Sequence, residues 1–118
     1  MANEAVIELK SPGDIFTSGA KLEGIARLYG DFKKAELSVM WITEGKGDTD
    51  RKVILFEDLD AINGGPDYSF SVTLPSMPCS YEGTLLKIIW LVRLRAFPVH
   101  GAEIISDRPF KVHNGRTE

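Results

Sequence analysis

The sequence has very few of the residues that disulfides and zinc sites need. It contains one cysteine, Cys79, and two histidines, His100 and His113. A single cysteine excludes a disulfide within the chain. Zinc takes three or four Cys or His ligands at short spacing, and these residues are too few and too far apart to favour such a site. We therefore predict no bound cofactor.

Motifs for nucleophilic catalysis are also missing. A serine nucleophile of the Gly-x-Ser-x-Gly type does not occur in the sequence. Cys79 and Ser80 lie together in a proline-rich loop, and a catalytic Ser or Cys needs a base that a third group holds in place. A triad with one of the histidines is arithmetically possible, but no spacing in the chain favours it. The expected class of protein is not an enzyme.

Long apolar runs and a surplus of one charge are absent too. No run approaches the roughly 18 apolar residues of a membrane helix, and the N-terminal MANEAVIELK lacks the positive and apolar regions of a signal peptide. We expect a cytoplasmic protein without membrane insertion. The 14 basic and 17 acidic residues leave a net charge of −3, with no basic stripe for nucleic acid.

Short segments rich in β-formers are what the sequence does contain, each bounded by turn residues. We predict strands at residues 6–9, 22–28, 35–43, 53–56, 68–74, 87–97 and 104–112, the last with an interruption at Pro109. A turn at 11–14 and loops at 44–50 and 57–67 separate some of them. The spacing predicts one domain over residues 1–118, a seven- to eight-stranded antiparallel two-sheet sandwich of Ig-like type, with 113–118 frayed. An eight-stranded barrel is the lesser alternative, because the loops vary too much in length for a simple meander.

The alternation of the third and sixth strands predicts which side chains point inward. Arg93 and Arg95 should face water, so Trp90 faces the core, and Trp41 does so on the third strand. The predicted core consists of Leu22, Leu37, Val39, Trp41, Phe70, Val72, Trp90, Val92 and Leu94. In an Ig-type sheet these two strands are neighbours. Four apolar residues would then share the outer face, with the two arginines as a polar rim: Met40, Ile42, Ile89 and Leu91.

Several motifs in this order resemble the amino-terminal sandwich of the arrestin-like family. They are Pro12-Gly13-Asp14, Leu22 with Gly24, Leu74-Pro75 followed by Pro78, Ser80-Tyr81-Glu82-Gly83, and Ile88 with Trp90. The resemblance covers most of the chain and implies an arrestin-like sandwich with an adaptor or scaffold function and no catalysis. Arrestin-like proteins usually carry two sandwiches and use the interface between them, whereas this chain has one. The resemblance therefore implies no function of that interface, and we assign no functional residue from it.

These observations favour a non-enzymatic adaptor or assembly module that binds proteins through the outer face. Met40, Ile42, Ile89 and Leu91 would form the contact, bordered by Arg93 and Arg95. An exposed apolar patch of roughly a few hundred Å² suits a protein interface; the alternatives are that a loop or a terminal segment of the chain covers these residues, or that they are scattered single side chains. The expected partner is another protein or a second copy of the chain, packed sheet against sheet.

Two acidic loops support an alternative function, a loop-based module that binds calcium or carbohydrate. Its candidate residues are Asp48 and Asp50 in the first loop and Asp58 and Asp60 in the second. Neither loop has the ligand order of an EF-hand. β-Sandwiches can nevertheless bind calcium between adjacent loops in a looser geometry.

Overall fold

A computed structural model describes residues 3–10, 15–45, 49–59, 67–76, 78–83 and 86–113. Nine strands form in these residues, and no helix does. The strands are β1 (Glu4–Leu9), β2 (Ile15–Thr17), β3 (Lys21–Tyr29), β4 (Phe32–Gly45), β5 (Thr49–Leu59), β6 (Asp67–Thr73), β7 (Tyr81–Glu82), β8 (Leu86–Pro98) and β9 (Ile104–His113). The turn predicted at 11–14, most of the loop at 57–67 and the tail after His113 lie outside the described residues, as does the centre of the loop at 44–50.

The strands form two sheets that pack face to face, which confirms the predicted sandwich. The smaller sheet has the order β1-β3-β6, and the larger sheet has the order β2-β9-β8-β4-β5, with β7 paired to β8. All pairs are antiparallel except β2 with β9, which is parallel. The short strands β2 and β7 were not predicted, because two or three residues are too few to show an alternation.

The core lies between the two sheets and contains large aliphatic and aromatic side chains from both. Seven of the nine predicted core residues are buried in it, and Trp41 and Val72 are half-buried at its margin. Three rings form a chain inside it, with Phe110 in contact with both Trp90 and Phe16 at centroid distances of 5.9 and 5.5 Å. β9 supplies Phe110 and runs through Pro109 without the predicted interruption. At Pro109, β8 is the only described strand that pairs with β9, because β2 pairs with β9 only from Lys111 onward. Proline has no N–H to donate, so it fits at a position where one side of the strand has no partner.

β4 and β8 are the longest strands, and they pair over most of their length. Trp41 lies opposite Trp90 and Val39 lies opposite Val92, so the inward set is the predicted one. The alternation of both strands is regular because one face is buried along their whole contact, and a slip of one residue would expose the core side chains. The predicted parity of the two strands is confirmed.

A β-bulge interrupts the pairing of β5 with β4. Val39 lies opposite Leu55 and the next residue, Met40, lies opposite Val53, which leaves Ile54 without a partner. Ile54 and Leu55 both pack against the core. Ile54 and Leu55 are consecutive and face the same side. Beyond the bulge, each residue of β5 therefore faces the opposite side from the one that simple alternation would give it.

Candidate functional site

The outer face of the larger sheet carries the apolar residues predicted to meet a partner. We use "outer face" for the side chains of β5, β4, β8 and β9 that point away from the smaller sheet. On this face Met40 lies opposite Leu91, and Ile42 lies opposite Ile89. Opposite residues of an antiparallel pair share a face and contact each other. The structure therefore brings the four predicted residues together.

Their exposure differs from the expectation. Met40 is 2% exposed and Leu91 is 6% exposed, although neither belongs to the core cluster, and Ile42 and Ile89 are half-buried. Met40 and Leu91 occupy the centre of the outer face, with Val53 and Pro109 on the flanking strands. Large side chains on both neighbouring strands remove them from water. They form the base of the face and are not available as its contact surface, which corrects the prediction.

Two exposed apolar side chains of this face lie close together on the neighbouring strand β5, and Ile105 of β9 is a third, on the far side of β4 and β8. Phe56 is 53% exposed opposite Ser38, and Val53 is 44% exposed opposite Met40. Both point outward because the bulge lies between them. The sequence reading missed these two residues, since the apolar run Val53-Ile-Leu-Phe56 has no alternation that reveals a face. Their proximity to a buried apolar base makes them the centre of the candidate site.

The two predicted rim arginines are paired within the chain. The Arg93 guanidinium donates two hydrogen bonds to Asp107, its cross-strand neighbour, at 2.8 and 3.0 Å. These bonds raise the pKa of Arg93, against the opposing effect of burial. Arg95 hydrogen-bonds Glu103 and lies 3.9 Å from Glu36. Both arginines border the outer face, as predicted, but their charges are already matched by carboxylates.

A pocket opens on the same face where β8 and β9 separate; we call it the fork pocket. β9 pairs with β8 up to Trp90 opposite Phe110, and beyond this point β7 becomes the partner of β8. Ser80 bridges the gap, because its backbone N–H and its hydroxyl oxygen bind the carbonyl and amide of Val112 at 2.8 and 2.9 Å. The pocket has a volume of about 500 Å³ and is lined by Ser80, Tyr81, Lys87, Ile88, Ile89, Pro109, Phe110, Lys111 and His113. It combines an apolar floor with basic side chains.

The two described aspartates of the alternative function, Asp50 and Asp58, lie far apart. Asp50 lies opposite Thr43 at one end of β5, and Asp58 lies opposite Glu36 at the other end. Eight residues of strand separate them by roughly 25 Å, so one ion cannot bind both. Asp48 and Asp60 lie outside the described residues. In the part of the chain that is described, no three His, Cys, Asp or Glu side chains are grouped as metal ligands would be.

A hydrogen bond attaches the loop before β7 to the core. The Trp90 indole donates a hydrogen bond to the Pro78 carbonyl at 3.0 Å, which fixes this loop against the core, and Cys79 beside it is half-buried.

The described residues contain no helix that is long and apolar enough to span a bilayer.

Comparison with known proteins supports the fold, but sequence comparison assigns the chain to no family. No family model matches the chain, and no curated protein does. Among solved structures, the chain is similar to Spo0M, a sporulation control protein from Bacillus subtilis, with a TM-score of 0.67 and 16% identity. The match covers 96% of this chain and 50% of that one, so the chain spans half the length of its neighbour. At this identity the likeness concerns the fold alone, and it supports a β-sandwich of arrestin-like type.

Proposed function

We propose that the chain is a non-catalytic protein-binding module of the arrestin-like family that serves as an adaptor or scaffold in the cytoplasm. The observation that carries this proposal is the pair of half-exposed apolar side chains, Phe56 and Val53, beside the buried base of the outer face. Exposed aromatic side chains on a rigid apolar base are typical of the centre of protein interfaces. The motif order of the sequence supports membership of the family.

The geometry of the outer face supports a contact with another protein. Met40 and Leu91 are buried already, so a partner needs to desolvate only the exposed side chains around them. β-Strands hold these side chains in place, which keeps the ordering cost of binding low. The paired Arg93–Asp107 group lies beside the apolar centre and supplies a polar border with no unmatched charge.

The structural neighbour is compatible with a function of this kind. Spo0M is described as a sporulation control protein, which is a regulatory role. A module that binds partners can serve regulation without catalysis, and a fold alone does not determine function. The proposal therefore rests on the outer face of this chain, with the neighbour as support for the scaffold only.

Capture of partners from the cell of origin tests the proposal. We expect the tagged wild-type chain to retain a defined protein that the double variant Val53→Ser, Phe56→Ser no longer binds. Ile15→Ser is the matched control, because Ile15 is 65% exposed on β2, at the opposite edge of the larger sheet. The control variant should keep the partner. Equal binding by all three proteins, with equal melting temperatures, would remove the outer face from the proposal.

The fork pocket favours a second candidate function, the binding of a small carboxylate with an apolar tail. Ile88, Ile89 and Phe110 would contact the tail, and Lys111 and His113, which also line the pocket, would contact the carboxylate. A volume of about 500 Å³ is within the range of small-molecule sites. Titration with decanoate, followed by amide NMR shifts at residues 80–89 and 110–113, is the test. Shifts spread over the whole surface would contradict a specific site.

A further inference from the structure

β5 is an open edge of the larger sheet. It has 11 residues and pairs with β4 on one side, and no described strand pairs with its other side. Alternate residues of such an edge present backbone N–H and C=O groups that another strand can bind. An edge of this length is unusual unless it is protected or used.

The sequence of this edge is complementary to itself. Residues 51–58 read Arg-Lys-Val-Ile-Leu-Phe-Glu-Asp, with two basic residues first, four apolar residues next and two acidic residues last. When two copies run antiparallel, Arg51 of one copy meets Asp58 of the other, and Lys52 meets Glu57. The apolar residues meet apolar residues in the same register. Opposite charges on directly opposed residues stabilise a strand pair, and like charges destabilise it.

The bulge makes this register geometrically possible. In a strand without a bulge, residues 51 and 58 would point to opposite faces, because seven positions separate them and the side chains alternate. In β5 both point outward, since Arg51 lies opposite Ile42 and Asp58 lies opposite Glu36, both outer-face residues of β4. Val53 and Phe56 also point outward, and Lys52 and Glu57 both point the other way. The directions of the side chains and the order of the charges are therefore symmetric about the same point, which lies between Ile54 and Leu55.

We propose that two copies of the chain pair antiparallel through β5 and form one sheet that continues across the dimer. The inference goes beyond the proposed function, because it concerns the edge of the sheet and a second copy of the chain as occupant. A two-fold axis perpendicular to the sheet relates the copies, and one self-complementary strand is sufficient for a closed dimer. The outer faces of both copies then lie side by side and remain open to another protein.

A charge exchange between two variants tests the pairing. Arg51→Glu and Asp58→Arg each place like charges opposite each other twice in the dimer, and both residues are exposed. We expect each variant alone to dimerise about tenfold or more weakly than wild type. An equimolar mixture should regain the wild-type association, because each altered residue then faces an opposite charge. Lys33→Glu and Glu4→Lys, both exposed and outside β5, are the matched controls and should leave the dimer unchanged. Sedimentation velocity measures all of these proteins.

Cysteine cross-linking tests the register independently. In a Cys79→Ser background, Arg51→Cys and Asp58→Cys should form a disulfide only when the two variants are mixed. Directly opposed Cβ atoms lie about 4.5–5.5 Å apart, within reach of a disulfide after a small adjustment, whereas the two copies of residue 51 lie roughly 23 Å apart. Cross-linking of Arg51→Cys alone would overturn this register. A wild-type chain that stays monomeric at high concentration would overturn the dimer and leave the proposed partner face unaffected.

Discussion

At the scale of single residues, Trp90 connects β8 with β9 and with the loop before β7. It is fully buried, its ring contacts Phe110 at a centroid distance of 5.9 Å, and its indole N–H binds the Pro78 carbonyl. The alternation of β8 predicted its inward direction. The bond to Pro78 could not be predicted, because it depends on how the loop before β7 folds back onto the sheet.

We expect Trp90→Ala to lower the free energy of unfolding by about 3–5 kcal/mol, since it leaves a large cavity and an unpaired carbonyl. Trp90→Phe should cost less, because a ring still fills most of the space. Urea unfolding of both variants measures the difference. Trp41→Ala, at the margin of the core, is the control and should be milder. Equal losses for Trp90→Ala and Trp41→Ala would contradict the burial difference between the two tryptophans.

At the scale of strands, the smaller sheet depends on one close contact at Gly24 of β3. A Cβ atom at this position would lie 2.6 Å from the Glu8 carbonyl oxygen and 2.6 Å from the Phe70 ring. Glu8 belongs to β1 and Phe70 to β6, so both neighbours of β3 approach the same glycine. The glycine lets the Phe70 ring lie across the strand and reach the core.

We expect Gly24→Ala to destabilise the protein by about 1–3 kcal/mol, because the ring and a backbone strand must both move. The double variant Gly24→Ala, Phe70→Leu should lose less than the sum of the single changes, since the smaller side chain relieves one of the two clashes. Thermal unfolding of the three variants gives this coupling. Strict additivity would show that the ring does not restrict this position.

The strands also show how far the sequence predicts this fold. The parity of β4 and β8 followed from their alternation, which identified the inward tryptophans and the shared outer face. β5 has an apolar run with no alternation, so neither its bulge nor the exposure of Val53 and Phe56 could be predicted. The burial of Met40 and Leu91 also escaped prediction, because it depends on side chains of neighbouring strands. The fold and the shared outer face were thus predictable, and the residues that are exposed on this face were not.

At the scale of the whole molecule, a hydrogen bond connects the two sheets at one edge of the sandwich. Tyr68 of β6 donates its hydroxyl proton to Glu57 of β5. This bond raises the pKa of Tyr68 above its ordinary value of 10, and partial burial and the Glu57 charge act in the same direction. The neutral phenol is therefore favoured in the folded protein.

This bond predicts a change of stability at alkaline pH. Because the folded pKa of Tyr68 lies above the unfolded one, its contribution is complete below about pH 10 and disappears as the pH rises through the folded pKa. Tyr68→Phe should cost about 1 kcal/mol at neutral pH, and the difference from wild type should vanish at high pH. Denaturant unfolding across this pH range measures it, with Tyr81→Phe, an exposed tyrosine of β7, as control. A difference that stays constant with pH would contradict the role of the phenol proton.

The parallel pairing of β2 with β9 has a consequence for synthesis on the ribosome. The ribosome makes Ile15, Phe16 and Thr17 nearly a hundred residues before their partners Lys111, Val112 and His113. Until Phe110 has emerged, the Phe16 ring lacks this contact. β4 and β5 are close in sequence and can pair as a hairpin during translation. The nascent protein therefore depends on β9, a strand made much later, to bury the Phe16 ring of β2.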